Sequence, residues 1–282
     1  MSFVHLHLHS EYSLRDSTIK IANLIKHVKE LGVSTIALTD HGNTAGILEF
    51  IIACKDAGIK PIVGMEAYIA KDIEVKDKDE HRFHGTLIAV SEIGCKNLFK
   101  LSSIANTVGF YYQPRLDFKT MKQYSEGLVL LTGCINSLLY IYGVDRAELV
   151  ARLLKTIFSE VWLEIMPHDI REQKLHNIRL LQMASKCDCS LIATQDVHYL
   201  NPADAEVHGI LMKIQEREPY EVESFYLTTV SEMYKQFQKN HKSLNGLEVI
   251  RAIKNAGLLA ERVEDYNISL GKFEYPIFNR EE

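Results

Sequence analysis

The chain lacks any apolar run near the roughly 18 residues of a membrane span, and its first ten residues lack the basic stretch and apolar core of a secretory leader. Neither secretion nor membrane insertion is expected, and the reading is cytoplasmic. Cysteine is sparse and odd in number. Cys54, Cys95, Cys134, Cys187 and Cys189 show no framework spacing, which fits reduced thiols and excludes a disulfide scaffold. Positive charge is not in excess either. A formal net charge of −5 excludes capture of nucleic acid by bulk cationic attraction, so any such contact must be local or metal-assisted. No internal repeat and no low-complexity tract is visible, which excludes a solenoid and a disordered tail.

What remains is a globular composition, 46% hydrophobic and 24% charged, over 282 residues, a size that α/β barrels reach as one unit. One domain, 1–282, is expected. Residues 3–9 read as a strand, 18–31 as a helix with apolar residues at helical spacing, 33–39 as a strand, 45–57 as a helix closed by Gly58, and 60–69 as a strand. The charged run 71–82 reads as an exposed loop, one that can overhang a site. Alternation then continues: strands at 84–90, 127–131, 160–165 and 190–195, with helices at 96–105, 146–158 and 172–184. Such alternation implies parallel strands joined by helical crossovers, which an open doubly wound sheet or a closed barrel would both satisfy. After Tyr199 the pattern is mainly helical, at 202–215, 230–239 and 246–263.

Histidine carries the functional argument. In His5-Leu-His7-Leu-His9-Ser10 the strand period of two sets three imidazoles on one face and the leucines on the other. Buried imidazoles need partners and imidazolium cations repel one another, whereas a divalent metal satisfies neutral ring nitrogens. Thr39-Asp40-His41-Gly42 ends the next strand, where a turn would lift His41 from the sheet and Asp40 could orient a neighbouring imidazole. Glu66 lies in an apolar strand, costly unless paired or coordinated, although an edge-strand glutamate in water is an equal reading. His84 opens a strand, Cys134 follows one in Leu131-Thr-Gly-Cys134, and Asp196 and His198 share a face at a strand's C-terminal end. Candidate ligands thus recur on or just beyond strands, whose C-terminal ends gather at one mouth in a parallel barrel. His84, at its strand's beginning, strains that picture. Arg115, in Tyr111-Tyr-Gln-Pro-Arg115, is a candidate phosphate contact beside rings able to stack on bases, although packing plus a surface salt bridge is the preferred reading.

These residues resemble the polymerase-and-histidinol-phosphatase (PHP) family, and within it the domains carried at the N-terminus of bacterial replicative polymerase alpha subunits. The resemblance spans nearly the whole chain. Besides the two histidine motifs it includes Gly58-Ile-Lys-Pro-Ile-Val-Gly, Gly109-Phe-Tyr-Tyr-Gln-Pro-Arg, Tyr124-Ser-Glu-Gly-Leu, Thr194-Gln-Asp-Val-His-Tyr-Leu and Leu270-Gly-Lys-Phe. It implies a distorted (β/α)7 TIM-like barrel over about 1–200, a mainly helical C-terminal extension over about 201–270, and the start of a linker toward a polymerase palm over about 271–282.

It also implies two or three divalent ions, zinc or manganese with iron an option, held by His7, His9, Asp16, His41, Glu66, His84, Cys134, Asp196 and His198. His7, His9, Glu66 and Asp196 would hold one ion; Glu66, His84 and Cys134 a second; Asp16, His41 and His198 a third. Asp16 comes from the resemblance alone, since a turn aspartate before a helix more often caps it. His5 would sit behind these ligands, and Cys187 and Cys189 lie outside the set. The implied chemistry is metal-dependent phosphoester hydrolysis, as in a 3′–5′ proofreading exonuclease acting on a DNA 3′ end. A small-molecule phosphatase or pyrophosphatase and an inactive platform for the polymerase are the rivals. Implied partners are the rest of the polymerase chain and replisome subunits; no polymerase active site is expected before Glu282, and an excised domain and a free-standing product both fit.

Overall fold

The computed structural model describes residues 3–14, 16–219, 222–266 and 268. In chain order the elements are a 3-10 turn (Glu11–Ser13), α1 (Ile21–Glu30), β1 (Thr35–Leu38), α2 (Ile47–Ala57), β2 (Lys60–Ile69), β3 (Phe83–Ala89), α3 (Glu92–Asn106), β4 (Arg115–Leu116), α4 (Phe118–Gln123), β5 (Leu128–Leu131), α5 (Leu138–Ile141), α6 (Gly143–Leu154), β6 (Val161–Ile165), α7 (Arg171–Cys187), β7 (Leu191–Ala193), α8 (Ala205–Ile214), α9 (Val230–Asn240) and α10 (Gly246–Arg262). Local chemistry sets many of these bounds. α1 buries Ile21, Leu24, Ile25 and Val28, one helical stripe. α2 stops at Gly58, whose left-handed φ of 70° suits a residue without Cβ. α3 begins earlier than the apolar spacing predicts because the Ser91 side chain accepts from Gly94 N. Thr229 with Glu232, and Asn245 with Glu248, form capping boxes that open α9 and α10. The linker expected over about 271–282, and the Leu270 motif, lie outside the described residues.

The result is an α/β fold around one curled sheet, in the order β1-β2-β3-β5-β6-β7, with β4 pairing β2 off that path. β1 with β2, β5 with β6, and β6 with β7 are parallel, but β3 runs antiparallel to both β2 and β5. The uniformly parallel sheet expected from the alternation is therefore corrected at β3. The physical reason is the connection: residues 70–82 hold no helix, and a strand that returns without a helical crossover pairs antiparallel.

Residues 3–9 are extended but form only a bridge, Leu8 to Val197, rather than a full strand. Their backbone nevertheless reaches both ends of the sheet. Ala37 N donates to His5 O at 3.1 Å and Thr39 N to Leu8 O at 2.9 Å on the β1 side; His9 N donates to Val197 O at 2.9 Å and Val197 N to His7 O at 3.1 Å beyond β7. The sheet curls because this segment ties its two edges together.

β5 is apolar on both faces, every residue being buried. α10 covers β7, and the Tyr266 hydroxyl beyond it donates to Ala89 O at 2.6 Å while accepting from Val63 N at 3.1 Å. All five cysteines are free and buried. Among the described residues no helix is long and apolar enough to cross a membrane.

His176 on α7 is fully buried against the Tyr140 ring, and neither ring nitrogen finds a hydrogen-bond partner among the described residues. Burial, helped by Arg179, pushes its pKa down from 6.5 to about 3. An unfolded histidine takes a proton near pH 6.5, whereas the native fold refuses it until about pH 3. The contribution is thus favourable above pH 6.5 and is lost as pH falls, by about 2 kcal/mol at pH 5. His176→Leu is expected to flatten the acid limb of thermal stability followed by circular dichroism; an unchanged slope would count against this assignment.

Candidate metal centre

The curled sheet presents one end to which the ligand-type side chains converge. His7 and His9 come from the extended first segment, Asp16 from the loop before α1, His41 from the turn after β1, and Glu66 from the part of β2 that runs past the end of β1. Cys134 follows β5, and Asp196 and His198 follow β7. His84 joins them because β3 is reversed. The start of an antiparallel strand lies where its neighbours end, and His84 N donates to Asn136 O in the loop carrying Cys134. The position that strains a parallel barrel is the one antiparallel pairing requires.

Glu66 is the hub and is buried. Its Oε1 lies 2.9 Å from His84 Nδ1 and 3.6 Å from His7 Nε2; its Oε2 lies 2.6 Å from His41 Nδ1 and 3.4 Å from His9 Nε2. Asp196 Oδ1 sits 3.1 Å from His9 Nε2 and 3.3 Å from His7 Nε2, and the backbone there takes a left-handed φ of 51°, which aspartate tolerates. Asp16 Oδ2 reaches His41 Nε2 at 2.8 Å and His198 Nε2 at 3.8 Å. Cys134 Sγ stands 3.7 Å from His84 Nδ1. Three triads hold their ligand atoms within 4.8 Å of one another: His7, His9 and Glu66; His41, Glu66 and His84; His9, His41 and His198.

Hydrogen bonding alone does not satisfy this cluster. His7 Nε2, His41 Nδ1 and Glu66 Oε2 are buried without a hydrogen-bond partner among the described residues. His41 Nδ1 and Glu66 Oε2 stand 2.6 Å apart. Buried polar atoms left this way are costly, and all three residues belong to the triads above. The donor set fits divalent cations: imidazole, carboxylate and thiol suit borderline ions.

Electrostatics carries the same sign. Burial resists charge on Glu66, but His84, His41 and His7 overcome it and hold its carboxyl well below the ordinary range. Asp196 is likewise held down against burial, mainly by His7 and His198. Asp16 is held down against burial by the neighbouring His198 and by its hydrogen bond with His41. Burial, with His41 and His198 alongside, pushes His9 down to about 3. His7 goes the other way: burial opposes its charge, yet Asp196, Glu164 and Glu66 raise it well above 6.5. Burial beside Glu66 and Asp196 pushes the Cys134 thiol up. The cluster holds carboxylates fixed as anions among imidazoles, the charge balance dications complete.

The supporting groups fix tautomers. Glu164 in β6, absent from the sequence-based set, accepts from Thr194 Oγ1 at 2.6 Å and Gly133 N at 2.8 Å, and its Oε1 lies 2.7 Å from His7 Nδ1. The Glu164 oxygen that accepts from Thr194 accepts from His7 as well, so His7 keeps a proton on Nδ1 and it is Nε2, once deprotonated, that can turn a lone pair inward. Ser13 works similarly. Its hydroxyl donates to Asp40 Oδ1 at 2.6 Å, so at 2.9 Å it accepts from His9 Nδ1, with His9 Nε2 turned toward Asp196 Oδ1. Asp40 therefore orients an imidazole as expected, but through Ser13. His5 lies outside the cluster, with Nε2 2.8 Å from Thr228 O. Cys187 and Cys189 sit at the end of α7 and beyond it.

Arg115 is placed elsewhere than its phosphate-contact reading requires. It is fully buried, donating to Gly109 O, Val75 O and Ile73 O and pairing with Glu80 at 3.3 Å. It pins the 70–82 loop instead, and its salt bridge is internal rather than at the surface. That loop does overhang the site: Glu80, His81 and Arg82 help line a cavity of about 560 Å³ whose wall also includes Glu66, His84 and Asp196. Arg217, which the sequence-based reading passed over, lines it too, with Nη1 3.1 Å from Asp16 Oδ1.

Residues 5–168 match the family described as PHP domain. The DNA polymerase III subunit alpha of Aquifex aeolicus is 43% identical over 227 residues, covering 76% of this chain and 20% of that protein. The same subunit of Borreliella burgdorferi is 35% identical over 289 residues, covering 95% of this chain and 24% of its own. The chain thus spans about a fifth to a quarter of the length of these relatives. A solved Bifidobacterium adolescentis structure, assigned as a metal-dependent phosphoesterase, overlaps 70% of this chain and 87% of that one, with a TM-score of 0.47 and 14% identity.

Proposed function

Because the chain belongs to the PHP family, we propose that it is a metal-dependent phosphoesterase, the PHP domain of a bacterial replicative DNA polymerase III alpha subunit, acting as a 3′–5′ exonuclease on a DNA 3′ end. The observation that carries this reading is the packing of His7, His9, His41, Glu66, His84 and His198 into triads of ligand atoms, with three buried atoms that no hydrogen bond among the described residues satisfies. Similarity to polymerase subunits favours a polynucleotide over a small phosphate ester. The curled sheet reads as a distorted (β/α)7 barrel with residues 3–9 as the stave between β1 and β7, and α8 to α10 as its helical extension.

We assign His7, His9, Asp16, His41, Glu66, His84, Cys134, Asp196 and His198 as ligands of two or three divalent ions, zinc or manganese. When bound, such ions activate water near neutral pH and polarise a phosphoryl oxygen. The chain's own part is positional. Glu66 offers both carboxylate oxygens to neighbouring subsites; Glu164 and Ser13 hold His7 and His9 with Nε2 facing inward; the overhanging 70–82 loop limits water access from one side. The remainder of a polymerase chain and its replisome partners would deliver the 3′ end.

The test is hydrolysis of a single-stranded oligonucleotide and of p-nitrophenyl phosphate by protein loaded with zinc or manganese. Release of nucleotides from the 3′ end, stopped by chelation, is expected. Faster turnover of the small ester would instead make it a phosphomonoesterase, and weak metal binding with turnover of neither would make it a scaffold.

A further inference from the structure

The turn between α3 and β4 carries exposed aromatic surface beside the cavity. Tyr112 is 72% exposed and Phe110 51% exposed, while Gln113 lines the cavity. An exposed ring needs no explanation by itself, but Tyr112 also holds a left-handed φ of 60°. That conformation is unfavourable for a bulky side chain, and such strain persists where surroundings enforce it. Here they do. Tyr111 N donates to Gln113 O at 3.1 Å, the Tyr111 ring meets Tyr112 edge-on at 4.7 Å, and the Arg115 guanidinium lies 5.5 Å from the Tyr111 ring centre.

The turn is also anchored to the metal site itself. Pro114 packs so closely on Gly42, the residue after His41, that a Cβ on Gly42 would stand 2.2 Å from Pro114 Cγ. At the other end a Cβ on Gly109 would stand 2.1 Å from Arg115 O. Two glycines thus let this turn dock backbone-close on one side to His41 and on the other to β4, holding the aromatic tip next to Gln113, which lines the cavity. Arg82 and Arg217 lie on the wall of the same cavity.

We infer that Tyr112 is a stacking platform for an unpaired base of a single-stranded polynucleotide whose backbone crosses the rim toward the metal site. This rests on the reading of the site as a polynucleotide phosphoesterase and names the residue that sets the substrate class. Aromatic faces beside cationic side chains are how single strands are held without sequence preference, the ring taking a base and the guanidinium a phosphate. A small phosphate ester has no base to place there, so the platform discriminates by substrate length. Rigidity adds to its value, because a ring already held in place loses little conformational freedom on binding.

The experiment compares the chain with Tyr112→Gly, Tyr112→Ala and Tyr112→Trp. Glycine suits the left-handed backbone, so the first variant removes the ring without adding strain. Binding of a 5′-fluorescein oligothymidylate is read by anisotropy, and hydrolysis of the same strand and of p-nitrophenyl phosphate by initial rates. The expected result is a rise of about tenfold in Kd and in KM for the strand with Gly and Ala, near-normal values with Trp, and unchanged turnover of p-nitrophenyl phosphate. Strand Kd and KM within twofold of the parent for Tyr112→Gly would overturn the inference and leave the patch to protein docking. If the parent hydrolyses neither substrate, the proposed function fails, while the Kd comparison still decides the platform.

Discussion

Asp196→Asn is expected to lower phosphoester hydrolysis by more than about 100-fold, the upper range seen when groups merely supporting a metal ligand are removed, while leaving the fold intact. Asparagine has the same shape, so the backbone bond from His198 Nδ1 to Asp196 O at 2.8 Å can persist. What disappears is the negative charge 3.1 Å from His9 Nε2 and 3.3 Å from His7 Nε2. His9→Ala should have a similar effect on turnover by deleting a ligand outright. Metal content by plasma emission, a circular dichroism melt and the hydrolysis assay, on chelator-treated and remetallated protein, check this together. Near-normal activity in either variant would contradict the ligand assignment.

Glu164 is expected to give the second large effect, and its two substitutions separate metal binding from stability. Glu164→Ala strips the partner from His7 Nδ1, Thr194 Oγ1 and Gly133 N at once. Each buried group left unpaired costs about 1–3 kcal/mol, and loss of a buried charged partner costs about 3–5 kcal/mol in all. Glu164→Gln keeps the volume, but an amide no longer fixes the proton on His7 Nδ1. Metal affinity should fall about 10- to 100-fold with only a modest change in melting temperature. Competition with a chromogenic chelator measures the first and thermal denaturation the second. A Gln variant that binds metal as the parent does would show that His7 is oriented by something else.

The fold was legible where local chemistry decides and obscure where pairing does. β2 reads directly from an apolar run of 60–69, and α2 from its stripe and the glycine that closes it. The reversal of β3 does not read so easily, because a strand's direction depends on its connection and the 71–82 run gives only polarity. β4 has two residues and no period to detect. The first segment carries the alternation of a strand but pairs mostly through isolated backbone bonds.

The candidate site divides in the same way. His7, His9, His41 and the Asp196/His198 pair announce themselves through motif and strand-end position. Glu66 and Glu164 offer one signal, an acidic residue inside an apolar strand, in Gly64-Met-Glu66-Ala and Trp162-Leu-Glu164-Ile. Only the first is picked out by the family resemblance, though the cost of burial applies equally to both. Arg217 and Asp16 lie far apart in sequence and meet only once the fold brings α8 and its following turn over the mouth. Arg115 admits two readings because a basic residue among aromatics suits both a binding surface and a packed brace, the preferred one; the bonds to Gly109, Val75 and Ile73 place it as a brace.

Anomalous diffraction from crystals grown with zinc, and separately with manganese, measured on both sides of each absorption edge, tests the account most directly. Two or three peaks should appear in the cluster, two of them within ligand distance of Glu66, with His7, His9 and Asp196 about one of those two. Crystals in which those side chains surround only water after growth in either metal would contradict it.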